Sequence, residues 1–248
     1  NTQYNAYYLN MVANEMFLDS ALQRSSVVSH AKLLNYVPKS ASAPTATLDI
    51  TFNQVTDSSL TIPKFTTFMS EAIDGVNYTF VTKDASTVNV SANTAIFNGL
   101  EIYQGIPASY SFTYDASANP KAIFTIPDTN VDTGTLLITV QESSTNTAIT
   151  TYTLADNFLT LDGNSEVFFL QEGLNGFYEI YFGNGVLGKQ LNNGNVVRLS
   201  FVATRGTGGT GANNFVLMNT VGGYGDVVIT PVYSATQGSA RETLDSIR

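Results

Sequence analysis

Three glycines and a lysine in FGNGVLGKQ, residues 182–190, carry the most chemistry-like spacing in this sequence. Gly183, Gly185 and Gly188 satisfy G-x-G-x-x-G, and Gly183, Gly188 and Lys189 match most of G-x-x-x-x-G-K. Both patterns describe loops whose backbone amides hold phosphate oxygens at the start of a helix. The surroundings argue against that use. FYEIYF before the loop alternates as a strand does, but QLNNGNVVRLSFV after it reads as an Asn-Asn-Gly turn and another strand. Gln190 stands where a Ser or Thr hydroxyl would hold magnesium. A dinucleotide fold also places an acidic ribose partner about 20 residues downstream, and no Asp or Glu lies between Glu179 and Asp226. The V-A-I-K, H-R-D and D-F-G of a kinase are absent. The glycines are therefore read as turn formers, and no nucleotide or other cofactor is expected.

The remaining motifs weaken in the same way. GTGGTG, residues 206–211, is a possible anion nest beside Arg205, but it reads more readily as a flexible loop or a crossing between sheets. SHAK matches S-x-x-K without the S-D-N and K-T-G that its chemistry requires. His30 is the only histidine and cysteine is absent, so histidine-cluster and cysteine-ligated metal sites are excluded. No D-x-D-x-D-G loop points to calcium. The carboxylates, Asp156, Glu172 and Glu179 among them, are read as solvated surface charge. No catalytic or metal residue is nominated.

These stretches must be positioned by a mainly β chain of 248 residues, long enough for one large domain or two ordinary ones. Charged residues are 12%, about half the usual share of roughly 25%, and Thr, Ser and Asn take their place. The formal net charge of −9 disfavours nucleic acid as a partner. No apolar run approaches the roughly 20 residues that span a bilayer, so no membrane partner is expected. Asn1 in place of Met leads us to expect a fragment or a processed product, and a soluble one.

Residues 8–36 contain no Pro or Gly, and their apolar residues recur at helical spacing. Leu9, Val12, Ala13, Met16 and Phe17 share one face; Val27, Val28, Ala31 and Leu34 share another. Ser25-Ser26 weakens the middle, which predicts two helices or a bent one, and KSASAP forms a linker. After Ala43 the period becomes two. Ala46, Leu48, Ile50 and Phe52 alternate, as do Tyr110, Phe112 and Tyr114; Leu136, Ile138 and Val140; and Val197, Leu199, Phe201 and Ala203. Asp74-Gly75, Asn98-Gly99, Asp162-Gly163, Asn175-Gly176 and Asn193-Gly194 read as turns. Short strands without interleaved helices predict antiparallel sandwiches or barrels. GSARETLDSIR is expected to close the chain as a helix, with Ser239 as cap and Glu242 at the capping-box position.

Taken in order, these segments resemble the baseplate wedge subunits of contractile-tailed, T-even-like bacteriophages, related to baseplate J proteins. The resemblance is carried by FLDSALQRSSVVSHAKLLNYVPKSASAP, by LTIPKFTTF with NYTFVT, by FGNGVLGK, by RGTGGTGAN and by GSARETLDSIR. Phe65 and Asn184 depart from the Gly and Asp that are common at those places. The resemblance implies a helical segment and linker over residues 1–42. It also implies a first β-domain from 43–104 plus 206–248 and a second, 105–205, inserted within it. In that family the glycine loop shapes a hairpin, and relatives are longer than this chain.

The resemblance further implies a non-enzymatic structural subunit of the virion tail baseplate, assembled in the host cytoplasm into the ring around the tail tube that links to the sheath. Its partners would be further copies of itself, as a dimer or through ring contacts, and other wedge or sheath-initiator proteins. Met16, Phe17, Val27, Val28, His30 and Leu34 are the interface candidates on the helix. Lys189, Arg198 and Arg205, in the acid-free stretch, are candidates to face an acidic neighbour. The alternative is a carbohydrate-binding or adhesive β-module, for which Thr/Asn-rich strands and 13 tyrosines would suit sugar stacking.

Overall fold

In the computed structural model, which describes residues 2–248, two short helices precede a chain of strands and turns. Helix α1 spans Thr2–Glu15 and α2 spans Arg24–Leu33. The break falls before Ser25-Ser26, which lie in the first turn of α2, where short hydroxyl side chains are favoured over the helix interior. Glu15 makes the corner. Its carboxylate accepts from the amides of Leu22 and Gln23 at 2.9 and 3.3 Å, donors that the Gln23 side chain leaves uncapped. Among the described residues no helix is long and apolar enough to cross a membrane.

The strands follow in two groups. β1 (Thr45–Phe52), β2 (Ser59–Ile62), β3 (Thr67–Ser70), β4 (Thr79–Thr82), β5 (Ser86–Asn89) and β6 (Ala95–Gln104) lead into β7 (Ile106–Thr113) and β8 (Ile123–Thr125). β9 (Leu137–Gln141), β10 (Ile149–Leu154), β11 (Val167–Glu172), β12 (Tyr178–Phe182) and β13 (Val196–Ala203) come next. β14 (Phe215–Leu217), β15 (Val227–Thr236) and the short α3 (Leu244–Ile247) end the chain. One sheet is ordered β14-β3-β4-β6-β1-β15, with β2-β5 as a separate ribbon; the other is β7-β13-β9-β10-β11-β12-β8.

Alternation dictates which side chains these sheets bury. Ala46, Leu48, Ile50 and Phe52 on β1 face a core shared with Phe68, Phe80, Phe97 and Ile102. Ile138, Val197, Leu199 and Phe201 meet Tyr178, Ile180 and Phe182 in the second core. Each fully buried side chain of this size contributes about 1.5–3 kcal/mol. Both sheets are nearly closed and barrel-like. In the first, Ala235 of β15 exchanges hydrogen bonds with Gly211 and Ala212, at 2.7 and 2.8 Å, just before β14. In the second, Phe112 of β7 meets Phe124 of β8 at 5.6 Å between ring centroids.

Three local expectations need correction. Asn98-Gly99 is a bulge inside β6 rather than a turn: Gly99 has φ of 68° and donates its amide to Asp49 Oδ1 at 2.8 Å. The extra residue shifts the inward set from Ala95 and Phe97 to Ile102 and Gln104, keeping both halves of the strand facing the core. β10 and β11 pair in parallel, through Thr153↔Val167, within otherwise antiparallel ladders. The final helix is a single turn beginning after Thr243, because Ser239 is held in a bridge to Ser42 and the Glu242 carboxylate accepts from the Lys39 amide and the Tyr36 hydroxyl.

The chain passes between the sheets at two adjacent crossings. Buried Gln104 ties them together: its Oε1 accepts from the Thr204 hydroxyl at 2.9 Å and the Arg205 amide at 3.1 Å. Beside it, Gly105 has φ of 147°, and a Cβ there would lie 2.4 Å from the Ala203 carbonyl oxygen. Gly105→Ala should therefore destabilise the protein by roughly 2 kcal/mol or more. Gly194→Ala, with φ of 89° and nothing within 4 Å of the new Cβ, should cost about 1–2 kcal/mol of left-handed strain. Urea denaturation of the two variants checks the order.

Candidate assembly surface

The glycine loops are closed by their own hydrogen bonds. After β12, the Gly185 amide donates to Gly188 O, Gly188 to Asp162 O and Lys189 to Ser165 O, at 2.8–3.0 Å. Val186 and Leu187 donate to Asn184 Oδ1. A Cβ on Gly183 would lie 2.1 Å from the Gly188 carbonyl, so the loop folds back on itself and leaves no cradle. In GTGGTG the amides of Gly206, Gly208, Thr210 and Gly211 all donate within the chain. That run is one of the two crossings, not an anion nest.

What the fold does leave open is α1. Residues 3–14 are all exposed, including Tyr4, Tyr7, Tyr8, Leu9, Met11 and Val12, and none of residues 2–14 is charged. At 3.6 residues per turn, these apolar side chains span slightly more than half of the helix circumference. Met16 and Phe17, just past its end, are 64% and 66% exposed, and Leu34 is 70% exposed. His30 Nε2 donates to the Glu15 carbonyl at 2.9 Å, fastening the end of α1 to α2. Val27 and Val28 must be withdrawn as docking residues. Both are fully buried within the chain, Val27 in a small core with Ala21, Ala31 and Ile247 of α3.

The arm is aimed by a buried ion cluster, where the sequence pattern suggests only solvent-exposed charge. Glu172, at the end of β11, has a side chain with no exposure. Its carboxylate accepts from Arg24 Nε and Nη2 of α2, at 2.7 and 2.9 Å, and from Arg241 Nη2 at 2.8 Å. Arg24 Nη1 also donates to the Glu242 carbonyl, and Arg241 Nη2 to the Gly176 carbonyl. Arg241 lies over the Tyr178 ring, 5.2 Å from its centroid, and the Tyr178 hydroxyl donates to the Pro38 carbonyl at 2.8 Å. Burial pushes that hydroxyl up to about 12, and hydrogen bonding to Glu172 raises the Arg24 guanidinium. Arg248 adds a bond to the Ala21 carbonyl. Four segments far apart in sequence, α2, the linker, the β11–β12 hairpin and the closing turn, are thus joined at one point.

Strand parity could have exposed this. In VFFLQE, Phe168, Leu170 and Glu172 alternate onto one face, and the first two pack in the second core. Glu172 therefore points inward and needs a cationic partner. Nothing local could have named Arg24 and Arg241. The basic candidates are dispersed. Lys189 pairs with Glu166 at 2.9 Å, and Arg198 donates to Gln141 Oε1 at 2.9 Å. Arg205 is exposed, with no side-chain hydrogen bond to another described residue.

The fold is thus that of a mainly β protein, two barrel-like sheets carrying an uncovered helical arm. Comparison with known proteins agrees with that class. Residues 108–204 match the family model described as the third domain of bacteriophage baseplate wedge protein gp6. The chain is also 25% identical over 239 residues to baseplate wedge protein gp6 of Enterobacteria phage T4, covering 89% of this chain and 35% of that relative. It thus spans about a third of the length of the curated relative it matches. Together the two matches support a baseplate wedge subunit.

Glu172→Gln keeps the shape of the cluster but leaves two guanidiniums facing a neutral amide. It should cost roughly 3 kcal/mol, against less than about 0.5 kcal/mol for Glu179→Gln, whose carboxylate accepts from the Gln171 amide at the less buried edge of the hairpin. Thermal unfolding of the two variants checks this. Acid should act on the Glu15 corner: its carboxyl is lowered by bonds from the Ser26 hydroxyl and the Leu22 amide. The stabilisation is complete above the ordinary carboxylate range and is lost as pH falls through the lowered value. Protease cleavage within residues 16–22 should therefore accelerate on acidification in the native chain and much less in Glu15→Gln.

Proposed function

We propose that the chain is a structural subunit of a phage tail baseplate wedge that assembles by burying the arm α1 against helices of further copies of itself. The uncovered, uncharged arm carries this reading. A 14-residue helix is marginal in water without tertiary packing, and its apolar arc is wider than one partner helix can cover. Each chain carries a net charge of −9, yet α1 presents none of it before Glu15, so copies can meet there without repulsion. In this reading the body divides into a β-domain from residues 43–104 with 206–248 and a second, 105–205, inserted in it. The wedge in turn belongs to the ring around the tail tube, next to other wedge and sheath-initiator proteins. Met16, Phe17 and Leu34 extend the arm's contact, and Arg205 is the basic candidate left for an acidic neighbour.

The test is the particle mass in solution at micromolar concentration. The native chain should self-associate, and the triple variant Leu9→Asp, Val12→Asp, Met16→Asp should be monomeric with unchanged thermal unfolding. A monomeric native chain, or a triple variant that still self-associates, would overturn the reading.

A further inference from the structure

The outer face of the six-stranded sheet carries a hollow that assembly through α1 does not use. Across β6, β1 and β15 one row of partners reads Glu101, Thr47 and Tyr233, and the next reads Tyr103, Thr45 and Thr236. Residues paired across neighbouring strands project from the same face. Here that face is the outer one, because the intervening Ala46 and Leu48 point into the core. Register shifts between Thr45, Thr47 and Leu48 along the β1–β15 ladder bend the sheet at this end. The result is an open hollow of about 470 Å³ whose rim is completed by Ser234 and Gln237. A second, of about 340 Å³, lies on the far side of the ridge formed by Glu101 and Tyr103, and Lys83 and Asp84 line it.

The groups around the first hollow are set for a polyhydroxyl ligand. Tyr233 is 69% exposed on one wall. Tyr103, half-buried on the other, donates its hydroxyl to Glu101 Oε2 at 2.7 Å, which orients the carboxylate and leaves it free to accept more. The hydroxyls of Thr47, Ser234 and Thr236 and the Gln237 amide make no side-chain hydrogen bond to other described residues. Gln237 also holds a left-handed φ of 66°, a strained conformation for a residue with a Cβ.

Aromatic walls take the C–H face of a sugar ring, while a floor of hydroxyls and one carboxylate exchange hydrogen bonds with its hydroxyl groups. The sign of the charge narrows the ligand: Glu101 and Asp84 outnumber Lys83 along the two hollows, which disfavours acidic glycans and phosphates. We propose that this face binds a neutral oligosaccharide, seated between Tyr103 and Tyr233 and extending over the Glu101 ridge into the second hollow.

An array of neutral hexose and N-acetylhexosamine oligosaccharides, followed by titration calorimetry of the hits, tests this. Saturable binding is expected, weakened about tenfold or more by Tyr233→Ala and by Glu101→Gln. It should be retained by the triple α1 variant that abolishes self-association, so the two readings fail separately. Both site variants should keep the native melting temperature, since these side chains are exposed. No saturable binding to any neutral glycan at millimolar concentration would overturn the proposal, as would binding that survives both substitutions. Burial of Tyr233 in the self-complex without glycan binding would assign the hollow to protein contact and also overturn it.

Discussion

The carboxylate of Glu172, held without solvent between the guanidiniums of Arg24 and Arg241, is the constraint on which the arrangement of the rest depends. Taking these charges out of water costs several kcal/mol per ion, and only close charge-assisted bonds from both sides offset it. Such a cluster adds little net stability compared with an apolar packing of the same volume. It does, however, penalise heavily any arrangement in which one partner is missing. Because its members come from α2, from β11 and from the closing turn, that penalty fixes where the helices stand relative to the seven-stranded sheet. Tyr178 extends the same restraint to the linker through its bond to Pro38.

From that fixed point the division between body and arm follows. Both sheets curl until their edges meet or are covered, Ala235 by Gly211 and Ala212, and β7 by the Phe112–Phe124 contact. Near-closure limits the unpaired edges of the two larger sheets, through which β proteins otherwise associate. The loops rich in glycine spend their amides internally. α1 carries Tyr4, Tyr7, Tyr8, Leu9, Met11 and Val12 exposed together, and a helix associates by area and shape rather than by hydrogen-bond templates. α2 is used twice over: Val27 packs it against Ala21 and Ile247, while His30 fastens the end of α1 to it.

Much of this was legible in residue order. The alternation in ATLDITF and VVRLSFVA names the buried face of β1 and β13 because a strand has only two faces, and Asp74-Gly75 marks a tight turn because both residues take positive φ there. Asn98-Gly99 looked identical at that level. A bulge and a hairpin ask for the same left-handed glycine, and only the partner strand, which continues on both sides of Asp49, distinguishes them. The helical period likewise grouped Val27, Val28 and Leu34 on one face, but which part of that face meets the body depends on where α3 comes to rest.

The sequence alone therefore determined the periodicities: a helical segment, bent or broken in the middle, a long series of short strands, glycine loops that turn rather than grip phosphate, and a helix with more apolar surface than one small sheet can cover. These are local properties, set by backbone geometry and by the side-chain types within a few residues. Only the tertiary structure decided that Glu172 meets Arg24 and Arg241, that Val27 and Val28 are spent inside the chain, and that Tyr103 and Tyr233, from different strands, line one hollow with Thr45 and Thr47. Each of those depends on residues tens to hundreds of positions apart, and their juxtaposition is set by how the whole chain closes on itself.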